Sequence, residues 1–471
     1  MASHRGRFRL ASWALAVLLL LPSGGVLEAQ TSDAYFEFLM ARRLEALGDQ
    51  PGALAALQRA AAADPASAEV RSEIAAFQLR RNRRADAERA ALDALKLDEN
   101  NLQAHRVLGL VYAANADGIN QRTAAAQFET VARDAIRHLE RASGDVATGV
   151  DLVFALGTLY LRVGEADKAV DAFNRVVLQN PESLRARLSL SQAYAAAGDL
   201  ENAIATLAPL VDDEPRVAST LAQYQEQAGL LAEAADSYTR ALAVEPTNRA
   251  LKVRRVVVLI NAGDYSRASS LAAEAQRQHG DDLRFPRLRA RALSASGDVQ
   301  QALTSLEPVA KANPKDAETQ LVLADLYNEA GREDDAERTL RQFIEVDPAN
   351  APVLNHLGYL LADRGRELDE AVRLVQRALE LDPDNPFYLD SLGWAHFQRG
   401  DLNQAEKYLT PAAAQLPRNA EVQDHLGDLL ARRGQWRDAI AAWTRALEGD
   451  GEIDRAAVER KINDAQPRLE R

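Results

Sequence analysis

Seven histidines and no cysteine bound the chemistry open to this 471-residue chain. Without thiols there can be no disulfide, thiolate metal site or cysteine nucleophile, and no cysteine to carry the acyl chains of a lipid-anchored exported protein. His-Glu-x-x-His, Gly-x-Ser-x-Gly, the phosphate-cradling Gly-rich loop and Gly-x-Gly-x-x-Gly are all missing. Those are the arrangements that place a metal-bound water, an activated serine or a nucleotide phosphate. His356 and His425 occupy equivalent slots, and with Asp390 and Asp424 they offer donors of the kind that hold a divalent cation. His356, Asp390 and the adjacent pair Asp424 and His425 lie on three separate segments, so ligation would need fortuitous geometry. No catalytic residue, metal or cofactor is expected.

Charge recognition is the other chemistry in view. Arg249, Lys252, Arg254 and Arg255 open one segment; Arg284, Arg287, Arg289 and Arg291 open another. Arg284, Arg287 and Arg291 recur at i, i+3 and i+7, which puts them on one helix face. In a chain of net charge −13, such a stripe either holds an acidic partner segment or is a solvated face compensated by Asp281, Asp282 and Glu274. The net acidity argues against wholesale nucleic-acid binding, which needs a basic footprint.

The elements that position these residues follow from one repeating alanine. It stands at Ala53, Ala87, Ala135, Ala169, Ala203, Ala234, Ala268, Ala302, Ala336, Ala371, Ala405 and Ala439. The steps are 34 residues except for one of 48, one of 31 and one of 35. A period of this length means stacked copies of one supersecondary unit, each burying its face only against its neighbours. That is how 471 residues escape the size limit of a single globular core. An aromatic content of 6% suits closely packed helices.

Residues 150–183 show the unit best. Val153, Leu156, Gly157 and Tyr160 share one helical face; Gly164 ends that helix; Ala169, Phe173 and Val176 line a second; Asn180-Pro181 closes it. The pair Gly157 and Ala169 is expected to let the two helices approach. Leu-Gly recurs at Leu108-Gly109, Leu357-Gly358, Leu392-Gly393 and Leu426-Gly427, and tyrosine fills its slot at Tyr112, Tyr194 and Tyr327. The turn glycine returns at Gly48, Gly198, Gly229, Gly263, Gly297, Gly331, Gly365, Gly400 and Gly434. This pattern resembles the tetratricopeptide repeat (TPR), lacking only the family's early tryptophan. The resemblance implies an all-α, right-handed superhelical solenoid of about twelve TPR hairpins, from residue 34 to about 453.

The departures from the period divide the chain. Residues 1–29 read as a signal peptide: Arg5, Arg7 and Arg9, an apolar run from Leu10 to Leu21, and a small-residue cleavage site after Ala29. The rival is an uncleaved anchor, although twelve apolar residues fall short of the roughly 20 that span a bilayer. Repeats 1–5 occupy 30–217, with an insertion near 115–133 expected to form a loop and a lengthened second helix. Repeats 6–12 occupy 218–453, after a shortened junction near Asp212–Arg216. A capping helix is expected over 454–471, with Ile453, Ala457, Val458, Ile462 and Leu469 covering the last repeat.

In TPR proteins the first helix of each hairpin lines a concave groove. Carried onto repeats 10–12, the resemblance places Asn355, Tyr359, Asp363, Asp390, Trp394, Phe397, Gln398, Asp424, Asp428 and Arg432 on that face. Aromatics among carboxylates and amides suit recognition of a peptide or a glycan; alternatively Trp394 and Phe397 pack between repeats. Trp443 occupies the aromatic packing slot of Phe173 and Tyr238. The recurrent Leu-Gly segments also look like those of bacterial envelope repeat proteins. The expected function is a non-catalytic, exported scaffold binding protein or peptide partners, periplasmic in a bacterium. A carbohydrate-handling module of polysaccharide export is the alternative.

Overall fold

The computed structural model describes residues 24–143, 149–451 and 453–469. The expected signal peptide lies outside them as far as residue 23. Among the described residues the regular structure is helical, and the chain divides into two compact units, residues 1–214 and 215–471.

Unit one contains five antiparallel hairpins: α1 (Gly24–Ala46) with α2 (Gln50–Ala63), α3 (Ala68–Arg80) with α4 (Arg84–Leu97), α5 (Leu102–Asp117) with α6 (Ala125–Ala142), α7 (Val150–Arg162) with α8 (Ala166–Gln179), and α9 (Leu184–Ala196) with α10 (Leu200–Leu207). Unit two contains seven: α11 (Ala218–Gln227) with α12 (Leu231–Val244), α13 (Arg249–Asn261) with α14 (Tyr265–Gln278), α15 (Arg284–Ala295) with α16 (Val299–Ala312), α17 (Ala317–Glu329) with α18 (Glu333–Val346), α19 (Ala351–Asp363) with α20 (Leu368–Leu381), α21 (Pro386–Gln398) with α22 (Leu402–Gln415), and α23 (Ala420–Arg432) with α24 (Trp436–Glu448). A last helix, α25 (Arg455–Ala465), packs on α24 through Val458 and Ala465, with Ile453 and Ile462 half-buried beside Trp443.

Each turn is set by local chemistry. All ten expected turn glycines adopt positive φ, from Gly48 (82°) to Gly434 (75°), a region that costs glycine nothing. At Gly164 the motif closes with the Glu165 N–H on the Tyr160 carbonyl at 2.8 Å, satisfying a carbonyl left free at the helix end. Asn82 (φ 57°) does the same work after α3, as asparagine tolerates that region better than most residues. The 35-residue step falls after α19, where one extra residue puts Glu367 into positive φ (45°). Helix starts are capped by short polar side chains: Asn419 accepts from the Val422 N–H at 3.0 Å and Asp316 from Thr319 at 2.9 Å.

Every repeating alanine is fully buried. A Cβ on Gly358 would meet the repeating Ala371 at its backbone oxygen, 3.0 Å away, but the nearest neighbour of each first-helix glycine is a larger second-helix side chain. A Cβ on Gly157 would meet the Phe173 ring at 2.9 Å, one on Gly393 would meet Leu409 at 2.6 Å, and one on Gly427 would meet Trp443 at 2.3 Å. The first helix drops its side chain so that a large second-helix residue can lie on its backbone. Between hairpins a polar tie recurs: Tyr160 donates to Glu140 (2.7 Å), Tyr194 accepts from Asn174 (3.2 Å), Tyr327 donates to Glu307 (3.0 Å) and Tyr112 to Glu88 (3.1 Å). Burial, reinforced by the facing carboxylates, pushes Tyr112 and Tyr327 up to about 12.

The insertion lengthens both helices of its hairpin. α5 runs for 16 residues and α6 for 18, joined by residues 118–124. Phe128, Ala135 and Leu139 are buried, whereas Val131 is half-buried.

Candidate partner-binding surfaces

Two stretches of first helices in unit two carry the residues singled out from the sequence. On α13, α15 and α17 the basic stripe lines an open pocket of about 340 Å³. Val253, Leu288, Leu321 and Val322 form its apolar floor, and Arg284, Arg287, Arg291 and Glu318 stand around it. The sequence reading named the arginines but not the floor. Its signal lay in the apolar residues ten and nine before each turn glycine: Val253 and Leu321 in the first slot, Leu288 and Val322 in the second.

Compensation accounts for part of the basic run. Arg249 pairs with Asp281 (2.8 Å), Arg254 with Glu226 (3.1 Å) and Arg284 with Asp282 (2.7 Å). Arg287 is held by Asp316 (2.8 Å) and by Glu318. Asp281 and Asp282 therefore compensate as expected; Glu274 acts on Arg255 through its charge and also accepts from Gln278 at 3.1 Å. Arg291 is exposed and has no carboxylate partner among the described residues.

On α19, α21 and α23 the aromatics do not stand free in a groove. Trp394 and Phe397 are each only 8% exposed and stack on one another, with centroids 5.0 Å apart and planes at 15°. The other side of Trp394 lies on His425 at 4.0 Å and 13°, and Tyr359 follows at 6.2 Å from His425. Arg432 is poised over Phe397 at 5.4 Å. The expectation that these rings open toward a ligand is thus corrected: they cover each other, which is the lowest-cost place for large apolar faces beside water. Tyr359 donates to Glu421, bridging α19 to α23. Burial, and then that carboxylate, holds its hydroxyl far above the ordinary tyrosine range.

The carboxylates of this stretch are also engaged. Asp390, 5% exposed, takes the Nδ1 of His425 at 3.1 Å. Burial alone would lower the His425 pKa, but the Asp390 charge and hydrogen bond outweigh it and the net direction is upward. Asp424 and Asp428 both receive Lys461 of α25 at 2.8 Å, and Asp428 also accepts from the Trp443 indole at 3.0 Å. Burial raises the Asp428 pKa despite these donors, whereas the two carboxylates raise that of Lys461 against its own burial. Lys461 went unread in the sequence because its partners lie 37 and 33 positions away. Asp363 and Arg432 remain exposed, Asn355 is half-buried, and the Asn355 Oδ1 and Trp394 Nε1 atoms are buried without hydrogen-bond partners.

Of the four donors considered for a cation, only His425 and Asp390 meet. His356 faces Asp325 (3.0 Å), His425 faces Asp390, and Asp424 faces Lys461. Among the described residues no cluster of three or more histidine or acidic side chains is placed to hold a metal ion, and no helix is long and apolar enough to cross a membrane.

Tetratricopeptide-repeat family models match residues 151–183, 178–346, 330–386 and 391–451. The chain is a tetratricopeptide-repeat protein. It is 28% identical over 203 residues to a TPR repeat-containing protein of Pseudomonas aeruginosa, covering 42% of this chain and 33% of that protein. It is 33% identical over 193 residues to the cellulose synthase operon protein C of Xanthomonas axonopodis pv. citri, covering 39% of this chain and 12% of that one. The chain therefore spans a third or less of the length of these relatives. Among solved structures, yeast Tom70 is similar with a TM-score of 0.45 at 13% identity, covering 93% of this chain and 96% of that one. The Naa15/Naa10 complex bound to HypK-THB gives 0.46 at 14%, covering 93% and 73%. The TPR fold supports a protein–protein interaction scaffold.

Proposed function

We propose that this TPR protein is a non-catalytic, exported scaffold of a bacterial cell envelope that binds protein or peptide partners on the surfaces of its first helices. The observation that carries this reading is the open pocket on α13, α15 and α17, where a half-covered apolar floor meets an arginine without a partner. A repeat array that had only to pack would bury such a floor. Export is supported by Arg5, Arg7 and Arg9 before the apolar run from Leu10 to Leu21 and by the small-residue site ending at Ala29, and the two relatives above are bacterial. Amino-terminal sequencing of the mature protein should find Gln30 first; Met1 retained in a membrane fraction overturns cleavage. Cross-linking in the intact envelope followed by identification of the captured proteins tests the scaffold role, and a chain that captures none overturns it.

A carbohydrate-handling module is the second reading. The match to a protein named for the cellulose synthase operon favours it, through 12% of that protein's length. Parallel retention on immobilised glycans and on envelope protein extracts separates the two readings.

A further inference from the structure

Resting on the scaffold reading, we propose that the α13–α15–α17 pocket takes an acidic protein segment, seating one apolar side chain on its floor and placing an adjacent carboxylate against Arg291. The charge arrangement selects this occupant. Arg284 and Arg287 are already clamped by Asp282, Asp316 and Glu318, so they hold the rim in shape and leave Arg291 as the unsatisfied cation. Guanidinium forks match carboxylates bidentately and are more weakly hydrated than ammonium, which favours pairing at a partly desolvated rim. The clamping carboxylates in turn disfavour a polyanion such as nucleic acid, whose many phosphates would meet Glu318 and Asp282 as well. A pocket of about 340 Å³ is at the small end of ligand sites, room for one large side chain rather than for a wrapped domain. Val253, Leu321 and Val322 are half-buried and Leu288 is 8% exposed, so an incoming aliphatic or aromatic group would complete a floor that is already assembled.

The test uses the full chain and a fluorescein-labelled peptide with a central leucine, one adjacent glutamate and otherwise uncharged residues. The expected result is saturable binding that weakens as salt rises, lost at least tenfold when the central leucine is replaced by serine or the glutamate by lysine. Arg291→Glu should lower affinity at least tenfold with an unchanged melting curve, and Arg291→Lys should retain part of it. Val322→Asp should remove the leucine preference and leave the peptide near the affinity of its serine version. Equal binding of the serine and leucine peptides, equal binding by Arg291→Glu, or displacement of the peptide by octanoate as readily as by unlabelled peptide overturns the proposal. Absence of peptide binding also overturns it. In that case protein capture in the envelope cross-linking experiment leaves the scaffold reading standing, and absence of capture removes both.

Discussion

The same hairpin presents opposite surfaces on α13–α17 and on α19–α23. Six residues before the turn glycines Gly297, Gly365, Gly400 and Gly434 stand Arg291, Tyr359, Trp394 and Asp428. At the first of these the side chain reaches into solvent over an uncovered apolar floor. At the other three it is spent on neighbours: Tyr359 on Glu421, Trp394 between Phe397 and His425, Asp428 on Lys461 and Trp443. Backbone position is therefore not enough to make a binding surface. What matters is whether the next first helix offers a partner for the side chain. Aromatic rings stack on one another within α21 and across to α23 and close the face, whereas like-charged arginines cannot stack away from water and keep it open.

Breaking the closed stretch should cost stability, and the largest effect belongs to Trp394. Trp394→Ala opens a void between two stacked rings and should destabilise by about 3–5 kcal/mol, read as a lowered thermal midpoint. An unchanged midpoint would restore the exposed-groove reading of this ring. Gly427→Ala drives a methyl into the Trp443 indole and should cost about 1–3 kcal/mol, measured by denaturant unfolding; a neutral result would mean that α23 and α24 can separate without penalty. Lys461→Met leaves the half-buried Asp424 and Asp428 without their cation and should cost about 1–3 kcal/mol, with less loss at acidic pH, where Asp428, whose pKa is raised, binds a proton.

Two smaller effects sharpen the contrast. His425 has a raised pKa from its Asp390 contact, so its stabilising charge is fully present below its ordinary value near 6.5 and is lost as pH rises through the higher folded value. Melting temperature should thus decline above pH 6.5, and that part of the decline should vanish in His425→Asn. A wild-type slope retained in the variant would assign it elsewhere. Arg291→Ala should change stability by no more than about 0.5 kcal/mol; a larger loss would show that the open stretch, too, is held together by its arginines.

The repeat, its turns and its packing alanines were legible because they depend on local spacing: 34 residues is a property of the chain read in one dimension. The ten turn glycines adopt positive φ because each ends a helix whose next element must double back. Even Arg284, Arg287 and Arg291 could be placed on one face by counting, although their pairing could not. Less legible was the fate of Trp394 and Phe397, since a position on the first helix lies next to both groove and neighbour. Gly157 was read correctly as the small residue of a close approach, but its opposite number is Phe173, because the helix offset that sets the contact is not a spacing within either helix.

By itself the sequence determined twelve hairpins, the departures from their period, the acidic character of the chain and the lack of thiol chemistry. Each follows from residue type and interval alone. Only the tertiary structure decided that Asp390 meets His425, that Lys461 reaches back to Asp424 and Asp428, and that Tyr359 crosses to Glu421. Side chains on successive first helices meet according to the rotation between hairpins, which sums many small packing contacts and is written in no single motif.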